Sequence, residues 1–598
     1  MTSALPRRRR NRRGSPMLRL RVGFVVIAIV LSFFGARLVQ LQAIDPESYA
    51  EMAAAEGSVE VVLPAERGEI LDRNGVALAG SIEGVMVVAD PLWTEPDAKP
   101  LAQLLSTRLG IDYFATLQAL RAESRFEYVA RRVPSTLATD VLGEAEAAGY
   151  KGLFTRRDPA RDYPARDVAA NLVGFLGTPD PEEGARPLAG FELAFNKLLS
   201  GTDGSAHYQV SGGNRIPLGV NTIEKAVDGQ DLHTTIDLDL QWYVQRVLRQ
   251  AVEDARGESG IAIVMDARTG ELLALADHPT YDATKPLDAS REDLGSRAMS
   301  DVYEPGSVEK VLTMSSLIDA GKVTPRTKLR VPPRLFRQDR PIKDWFAHDT
   351  INLTLAGVLA KSSNIGTVLA ADKISPAALS RYLRSFGLGR KTDIGVRGET
   401  AGIIPAGPLL TSQTKDRMAF GQSLSVNAVQ MTAAINTIAN GGVRVAPSVI
   451  SGQATTDDGV TVGTDTASTR QVISPEAAEQ TMKMMEKVVD PEDGVAPGAQ
   501  VPGYRVAGKT GTAQRVGKEC GCYDGTFTVS FAGFAPADDP RFTVYVVVQR
   551  PLNGGGGGSV GGPAFSKIMG YALRRYAVPP TGTKPSDLPV EWGRPRGE

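Results

Sequence analysis

The sequence predicts an α+β protein: a single membrane-spanning helix at the start, an elongated mixed domain, then a domain built on one antiparallel sheet with helices. Three observations predict it. An arginine-rich opening runs into an uncharged apolar stretch, a region broken by Gly and Pro follows, and from about 230 strand-like segments bracket a long helical middle. The expected boundaries are a basic tail over 1–21, an anchor over 22–44, a mixed domain over 45–220, the sheet domain over 221–576 and a loose tail over 577–598.

The opening stretch carries eight arginines through Arg21 and no acidic residue. The apolar run from Val22 passes Arg37 and reaches Ile44, about 23 residues or roughly 34 Å of helix, enough to cross a ~30 Å hydrocarbon core. Arg37 falls near the far interface, where its long stem can snorkel. The arginines set the orientation by the positive-inside rule, with a short cytoplasmic tail and everything after the helix outside. A cleaved signal peptide has the same charge order, but no convincing small-x-small site follows the apolar run. A basic arm for nucleic acid is unnecessary, because membrane orientation accounts for the arginines.

The whole chain has 598 residues and a net charge of -1, with 42% hydrophobic and 23% charged residues, which excludes wholesale disorder, collagen and a multi-span bundle. That near-zero charge averages two opposite regions: without the eight arginines of the tail, 59 basic residues stand against 68 acidic ones. Two Cys make no disulfide scaffold, and four scattered His make a catalytic zinc site unexpected.

In the mixed domain, Val59–Leu63 and Gly84–Ala89 read as strands, being β-branched and bounded by turn residues. Leu101–Leu109 and Ala115–Ala122 read as short helices. The RGE and DRNG run at 67–75 reads as a structural turn network, and the region lacks the acidic and His signatures of a glycosyltransferase. The turn-rich Ser211–Gly229 links it to the next domain. There a strand runs into an amphipathic helix over 232–255. Gly260–Asp266 and Leu272–Ala276 form a hairpin, a helical stretch covers 307–442, and strands return at Arg505–Ala507, Phe527–Ala535 and Phe542–Gln549. The run Gly554–Gly558 reads as a flexible hairpin loop.

Three short motifs carry the chemistry. Ser307-Val-Glu-Lys310 follows Glu304-Pro305-Gly306, so Ser307 falls at or just inside a helix N-terminus. The three-residue spacing puts Ser307 and Lys310 on one face, about 5–6 Å apart at Cβ, as a nucleophile and its base. A lysine can be that base only with its pKa lowered by burial or a nearby cation. Ser362-Ser-Asn364 and Lys509-Thr510-Gly511-Thr512 follow, the latter after the strand-like YRVAG, with Gly508 and Gly511 expected to let a substrate backbone come close. Ser412/Lys415 and Ser425/Asn427 repeat the first two patterns. One short segment would have to supply both, and TSQTKDR is polar on every face. Val308, Leu312, Met314, Leu317 and Ile318 instead make a stripe that buries the helix of Lys310.

SxxK, SxN and KTG in this order, separated by 55 and 147 positions, resemble the penicillin-recognising serine transferases and hydrolases. The surroundings resemble class B penicillin-binding proteins: RGEILDRNGVALA at 67–79, RDYPARDVAANLVGFLG at 161–177, GFELAFNKLLSGTDG at 190–204, EPGSVEK, and FGQSLSVNAVQMTAAINTIANGG at 420–442. The last also explains Ser425 and Asn427 as a structural segment of the family. The short basic tail, single anchor and absence of appended C-terminal modules are most similar to the division-specific, FtsI-type peptidoglycan transpeptidases.

The resemblance implies a pedestal domain over 45–220 and a serine β-lactamase-like transpeptidase domain over 221–576. It implies that Ser307 attacks the penultimate D-Ala carbonyl of a stem peptide and expels the last D-Ala. Lys310 activates Ser307, Ser362 relays the proton to the leaving amine, and Asn364 holds the substrate amide. Lys509, Thr510 and Gly511 belong to the carboxylate-binding strand, the charge of Lys509 lowers the pKa of Lys310, and the N–H groups of Ser307 and Thr512 form the oxyanion hole. No cofactor or metal is implied. The implied partners are peptidoglycan stem peptides, β-lactams, an FtsW-type glycosyltransferase and other division proteins at the bacterial cell membrane. An elongation-type transpeptidase shares this chemistry, and a membrane-anchored β-lactamase or β-lactam sensor shares the motifs without needing the pedestal. Cys520-Gly-Cys522 has spacing that strains an internal disulfide and is poor for zinc, and leaves a disulfide or two free thiols open.

Overall fold

The computed structural model describes residues 16–40, 58–177, 185–211, 214–215, 222–338, 340–517, 521–553 and 555–593. Residues 1–15 of the arginine tail, 41–44 of the predicted span, Cys520 and Gly554 lie outside these. The chain divides into two compact units.

The first unit takes in residues up to Pro64 and Asp203–Val227. Its N-terminal helix, Pro16–Val39, starts six residues before the predicted span and includes Arg19 and Arg21. Pro at the first helical position is pre-organised for that start. Met17–Val39 contains an 18-residue stretch of mean hydropathy 2.4 and is the one helix among the described residues long and apolar enough to cross a membrane. In the same unit Ser58–Leu63 pairs antiparallel with Gly204–Ser211, which also pairs with Thr222–Glu224.

The second unit holds the rest. Residues 84–157 have a small core of their own. Strands Glu127–Pro134, Gly84–Ala89 and Leu153–Arg157 lie side by side in that order, and Leu101, Leu105, Val141 and Ala145 of two helices bury against Val87 and Ala89. The RGE and DRNG run is a turn network. Asp72 accepts from Asn74 N and Val76 N with Oδ1 and from Leu238 N with Oδ2. Arg67 and Arg161 close on the buried Glu192 at 2.6 and 2.7 Å.

The α+β reading holds for the larger part. The elements that place the site are α1 (Leu238–Asp254), β1 (Ser259–Asp266), β2 (Leu272–His278), α2 (Lys310–Asp319), α3 (Leu355–Ala360), α4 (Asn364–Ala371), α5 (Ala428–Ala439), α6 (Pro475–Glu486), β3 (Ala507–Val516), β4 (Tyr523–Ala535), β5 (Phe542–Gln549) and α7 (Gly557–Arg575). The sheet order is β2-β1-β5-β4-β3, antiparallel throughout. All eight residues of β1 and of β5 are buried. A strand apolar along its whole length needs cover on both faces. Helices α1, α7 and α5 pack on the sheet and provide it.

Two expectations at the C-terminal end are corrected. Gly557 and Gly558 open α7 rather than forming a loop. A Cβ on Gly557 would stand 2.1 Å from Ser530 O and 2.5 Å from Gly511 O, so only glycine lets the helix start there against β3 and β4. The segment after 577 is not loose through 593. Val590 is buried, Thr354 Oγ1 donates to Pro589 O, and Ser586 N donates to Glu486.

Candidate active site

The turn before α2 sets the first side chain. Gly306–Val308 is a single 3₁₀ turn and α2 begins at Lys310. Gly306 has φ +55°, and a Cβ there would meet Thr512 O and Ala513 Cβ at 3.1 Å. From the other side, a Cβ on Gly511 would meet Ser530 Oγ at 2.3 Å, Val308 Cγ2 at 3.0 Å and Pro305 O at 3.1 Å. The two glycines let the turn of Ser307 lie directly against strand β3. This corrects the expected use of Gly508 and Gly511. A Cβ on Gly508 would strike the Phe531 ring at 2.3 Å, so both serve the protein's own packing before any substrate's. The KTG residues also lie within β3 instead of after a strand.

Ser307 is half-buried, and its hydroxyl has no hydrogen-bond partner among the described residues. Lys310 is completely buried, under the apolar stripe its sequence spacing predicts. Its Nζ donates to Ser362 O and Asn364 Oδ1, both at 2.7 Å, and reaches Ser362 Oγ at 3.4 Å. Lys509, also fully buried, donates from Nζ to Ser362 Oγ at 2.9 Å and to Thr510 O and Oγ1 at 3.1 Å. Ser362 is thus shared by both lysine side chains. It sits at φ +58°, a left-handed conformation that costs a non-glycine residue and clusters at functional sites. Thr512 is exposed on β3, the edge strand, and its Oγ1 accepts from Gly557 N at 3.3 Å. An edge strand leaves one row of backbone groups open to an added peptide.

Burial brings the Lys310 pKa down to about 7, against the opposing charge of Asp344. Of the two expected causes, burial and a nearby cation, burial dominates; burial also lowers the pKa of Lys509, with the neighbouring Lys310 adding to it. A Lys310 amine that loses its proton near neutrality can act as a proton acceptor.

Several residues of the site carried no sequence signal. Asp344 lies in a coil, yet its carboxylate accepts from Ser363 Oγ at 2.6 Å and Ile365 N at 3.0 Å. Its neighbours add Trp345 Nε1 to Lys361 O at 2.9 Å and Asn364 Nδ2 to Lys343 O at 3.0 Å. Together they pin the Ser362 turn from outside. Glu304, half-buried with its pKa raised by desolvation, accepts from Ser423 N at 2.8 Å and Tyr523 Oη at 2.9 Å. It ties the turn before Ser307 to two other segments.

The repeated patterns fall elsewhere. Ser412–Met418 is a short helix, contrary to its even polarity, because Lys415 and Asp416 turn inward. Lys415 Nζ stands 3.6 Å from Asp372, 3.5 Å from Asp416 and 3.2 Å from Ala371 O. Asn427 caps α5 in a box with Gln430. Cys522 is disulfide-bonded, and Cys520 lies outside the described residues.

Residues 260–570 match the family described as penicillin binding protein transpeptidase domain, and 62–234 the penicillin-binding protein dimerisation domain. The chain is 34% identical to penicillin-binding protein PbpB of Mycolicibacterium smegmatis, over 95% of this chain and 92% of that one. It is 30% identical to peptidoglycan D,D-transpeptidase FtsI of Escherichia coli, over 94% and 92%. The structure is similar to that of penicillin-binding protein 3 from Mycobacterium tuberculosis complexed with aztreonam. The TM-score is 0.68 at 31% identity, covering 89% of this chain and all of that one.

Proposed function

We propose a septal role for this chain, which belongs to the class B penicillin-binding proteins and is a peptidoglycan D,D-transpeptidase that β-lactams bind. The observation that carries the assignment of its residues is the meeting of Lys310 and Lys509 on Ser362, with Asn364 also accepting from Lys310, beside the turn of Ser307.

In this reading the neutral amine of Lys310 takes the hydroxyl proton of Ser307, and Oγ forms a bond to the penultimate D-Ala carbonyl carbon. The oxyanion is held by the backbone N–H groups of Ser307 and Thr512, close because Gly306 and Gly511 let the turn and β3 touch. The bond to the terminal D-Ala nitrogen then breaks, and Ser362 Oγ passes the proton from Lys310 to the leaving amine. Lys509, with Thr510 and Gly511 on the same strand, holds the terminal carboxylate, and Asn364 the substrate amide. The amine of a second stem peptide attacks the ester, forms the cross-link and releases Ser307. A β-lactam enters by the same attack, its ring amide opening to an ester that no deacylating water reaches efficiently.

The segments 45–220 and 221–576 serve as pedestal and catalytic domain, carried by one membrane helix with the arginine tail in the cytoplasm. The partners are an FtsW-type glycosyltransferase and other division proteins, and the FtsI-type relatives support that choice. Labelling the full-length protein with a fluorescent penicillin tests the chemistry: wild type should hold the label and Ser307→Ala should not. Label persisting in the variant sinks the nucleophile assignment. Depletion in cells should give filaments with failed septa, and rounding of dividing cells would instead mark an elongation role.

A further inference from the structure

A cavity of about 460 Å³ includes none of the motif residues in its lining. Four cationic side chains, Arg326, Lys483, Arg505 and Lys584, face it against one carboxylate, Asp587. Two of the four already have partners: Arg505 pairs with Glu486 and Asp538, and Lys483 with Glu479. Arg326 and Lys584 are exposed and have no ion-pair partner among the described residues. Beside Asp587, the cavity therefore presents these two unpaired cations in a concave site of small-ligand size.

Each wall adjoins an element that carries, or leads into, part of the active site. Lys483 is on α6, which packs against α2, the helix of Lys310. Arg505 precedes Lys509 by four residues. The segment holding Lys584 continues to Pro589 and Val590, which accept from Thr354 Oγ1 at the start of α3, and α3 leads into Ser362. The docking is close: a Cβ on Gly357 would stand 1.9 Å from Val590 O.

We propose that this cavity binds a phosphate-bearing anion and that its occupancy is felt at the active site through these three walls. A guanidinium fork and a lysine point charge are the groups that recognise phosphate oxygens. Outside the membrane, phosphate is offered as the diester of a wall polymer or as a free ion. Binding is independent of the transpeptidase reading, and the coupling rests on it. A ligand shifts the site only by its differential affinity for two arrangements of the walls.

The test titrates the full-length protein in neutral detergent, at constant ionic strength, with inorganic pyrophosphate and separately with glycerophosphoglycerol. Heat of binding and the rate of penicillin acylation are both read. Pyrophosphate should bind saturably, with affinity falling at least tenfold in the double variant Arg326→Gln/Lys584→Gln. It should change the acylation rate of wild type but not of that variant, whose unliganded rate stays at the wild-type level. Binding of the diester as well assigns the site to a polymer, and binding of pyrophosphate alone assigns it to the free ion. Absence of saturable binding, or equal affinity in the double variant, overturns the site. Saturable binding with no change in acylation overturns the coupling, while loss of labelling in unliganded wild type would count against the transpeptidase reading alone.

Discussion

Two buried charge clusters in the larger unit are built on opposite principles. In the pedestal, Glu192 is completely buried and each carboxylate oxygen meets an arginine, Arg67 at one and Arg161 at the other, with Asn196 taking a further Arg67 N–H at 2.8 Å. In the active site Lys310 and Lys509 are equally buried, but their Nζ atoms donate only to hydroxyl, amide and carbonyl oxygens. An ion taken from water costs several kcal/mol unless a partner offsets it. The pedestal offsets that cost by pairing. The active site leaves it in place, and the consequence is an amine that gives up its proton near neutrality. Lys415 shows that the difference is not forced by the domain: it is buried nearby in sequence to the SxN-like pattern, yet it has two carboxylates within 4 Å.

The largest effect that sharpens this contrast comes from removing the unpaired amine. Lys310→Met keeps the apolar stem and deletes the proposed base, so penicillin acylation should fall by about 10²–10⁴-fold while the fold persists. In wild type the acylation rate should climb with pH through a midpoint near 7, because the reactive form is the neutral amine. The stability effect has the same sign. A lysine at 10.5 unfolded and about 7 folded releases its proton on folding, so its contribution is full above 10.5 and is lost as pH falls toward 7. A flat acylation profile between pH 6 and 8 would mean that Lys310 is not the titrating base.

Breaking the paired cluster should give the reverse pattern. Glu192→Gln leaves two guanidinium groups facing each other without a counter-charge, which costs about 3–5 kcal/mol. The melting midpoint should drop by several degrees while the surviving folded protein still takes up penicillin label at Ser307. An unchanged midpoint would mean that the pedestal pairs carry little stability, and the contrast between the two clusters would then lose its energetic half.

The three motifs, their order and the buried stripe under Lys310 were legible in the sequence because each depends on spacing along one segment. Val308, Leu312, Met314, Leu317 and Ile318 declare a buried helix by period alone, and all five are buried. What spacing cannot express is a contact between segments. Asp344 is one carboxylate in a loop, and only folding brings it onto Ser363 and Ile365. The glycines misled for the same reason. Gly508, Gly511 and Gly557 looked like room for a substrate or a flexible loop, whereas their missing Cβ atoms are filled by Phe531, Ser530 and Val308 of the protein itself. The C-terminal segment after 577 looked loose by composition, because its anchor, Gly357, lies more than two hundred residues away.

The smallest effect belongs to a third way of burying a charge. Glu309 is next to Lys310 in the chain and fully buried; Oε1 accepts from Thr313 Oγ1 at 2.7 Å and Oε2 has no partner among the described residues. It is neither paired like Glu192 nor placed to react like Lys310, and desolvation raises its pKa well above 4.5. Burial in that position favours the protonated carboxyl, because an isolated ionised carboxylate in an apolar setting is far costlier than a protonated one. Glu309→Gln is then a near-isosteric exchange of one neutral group for another, with the amide oxygen keeping the Thr313 bond. Stability should change by less than about 1 kcal/mol, and the acylation midpoint should stay near 7. Were Glu309 ionised instead, its charge would hold the Lys310 proton in place, and the substitution would move the midpoint to lower pH. A downward move of half a unit or more would therefore place an anion beside the base, and the active site would have to be counted with the paired cluster.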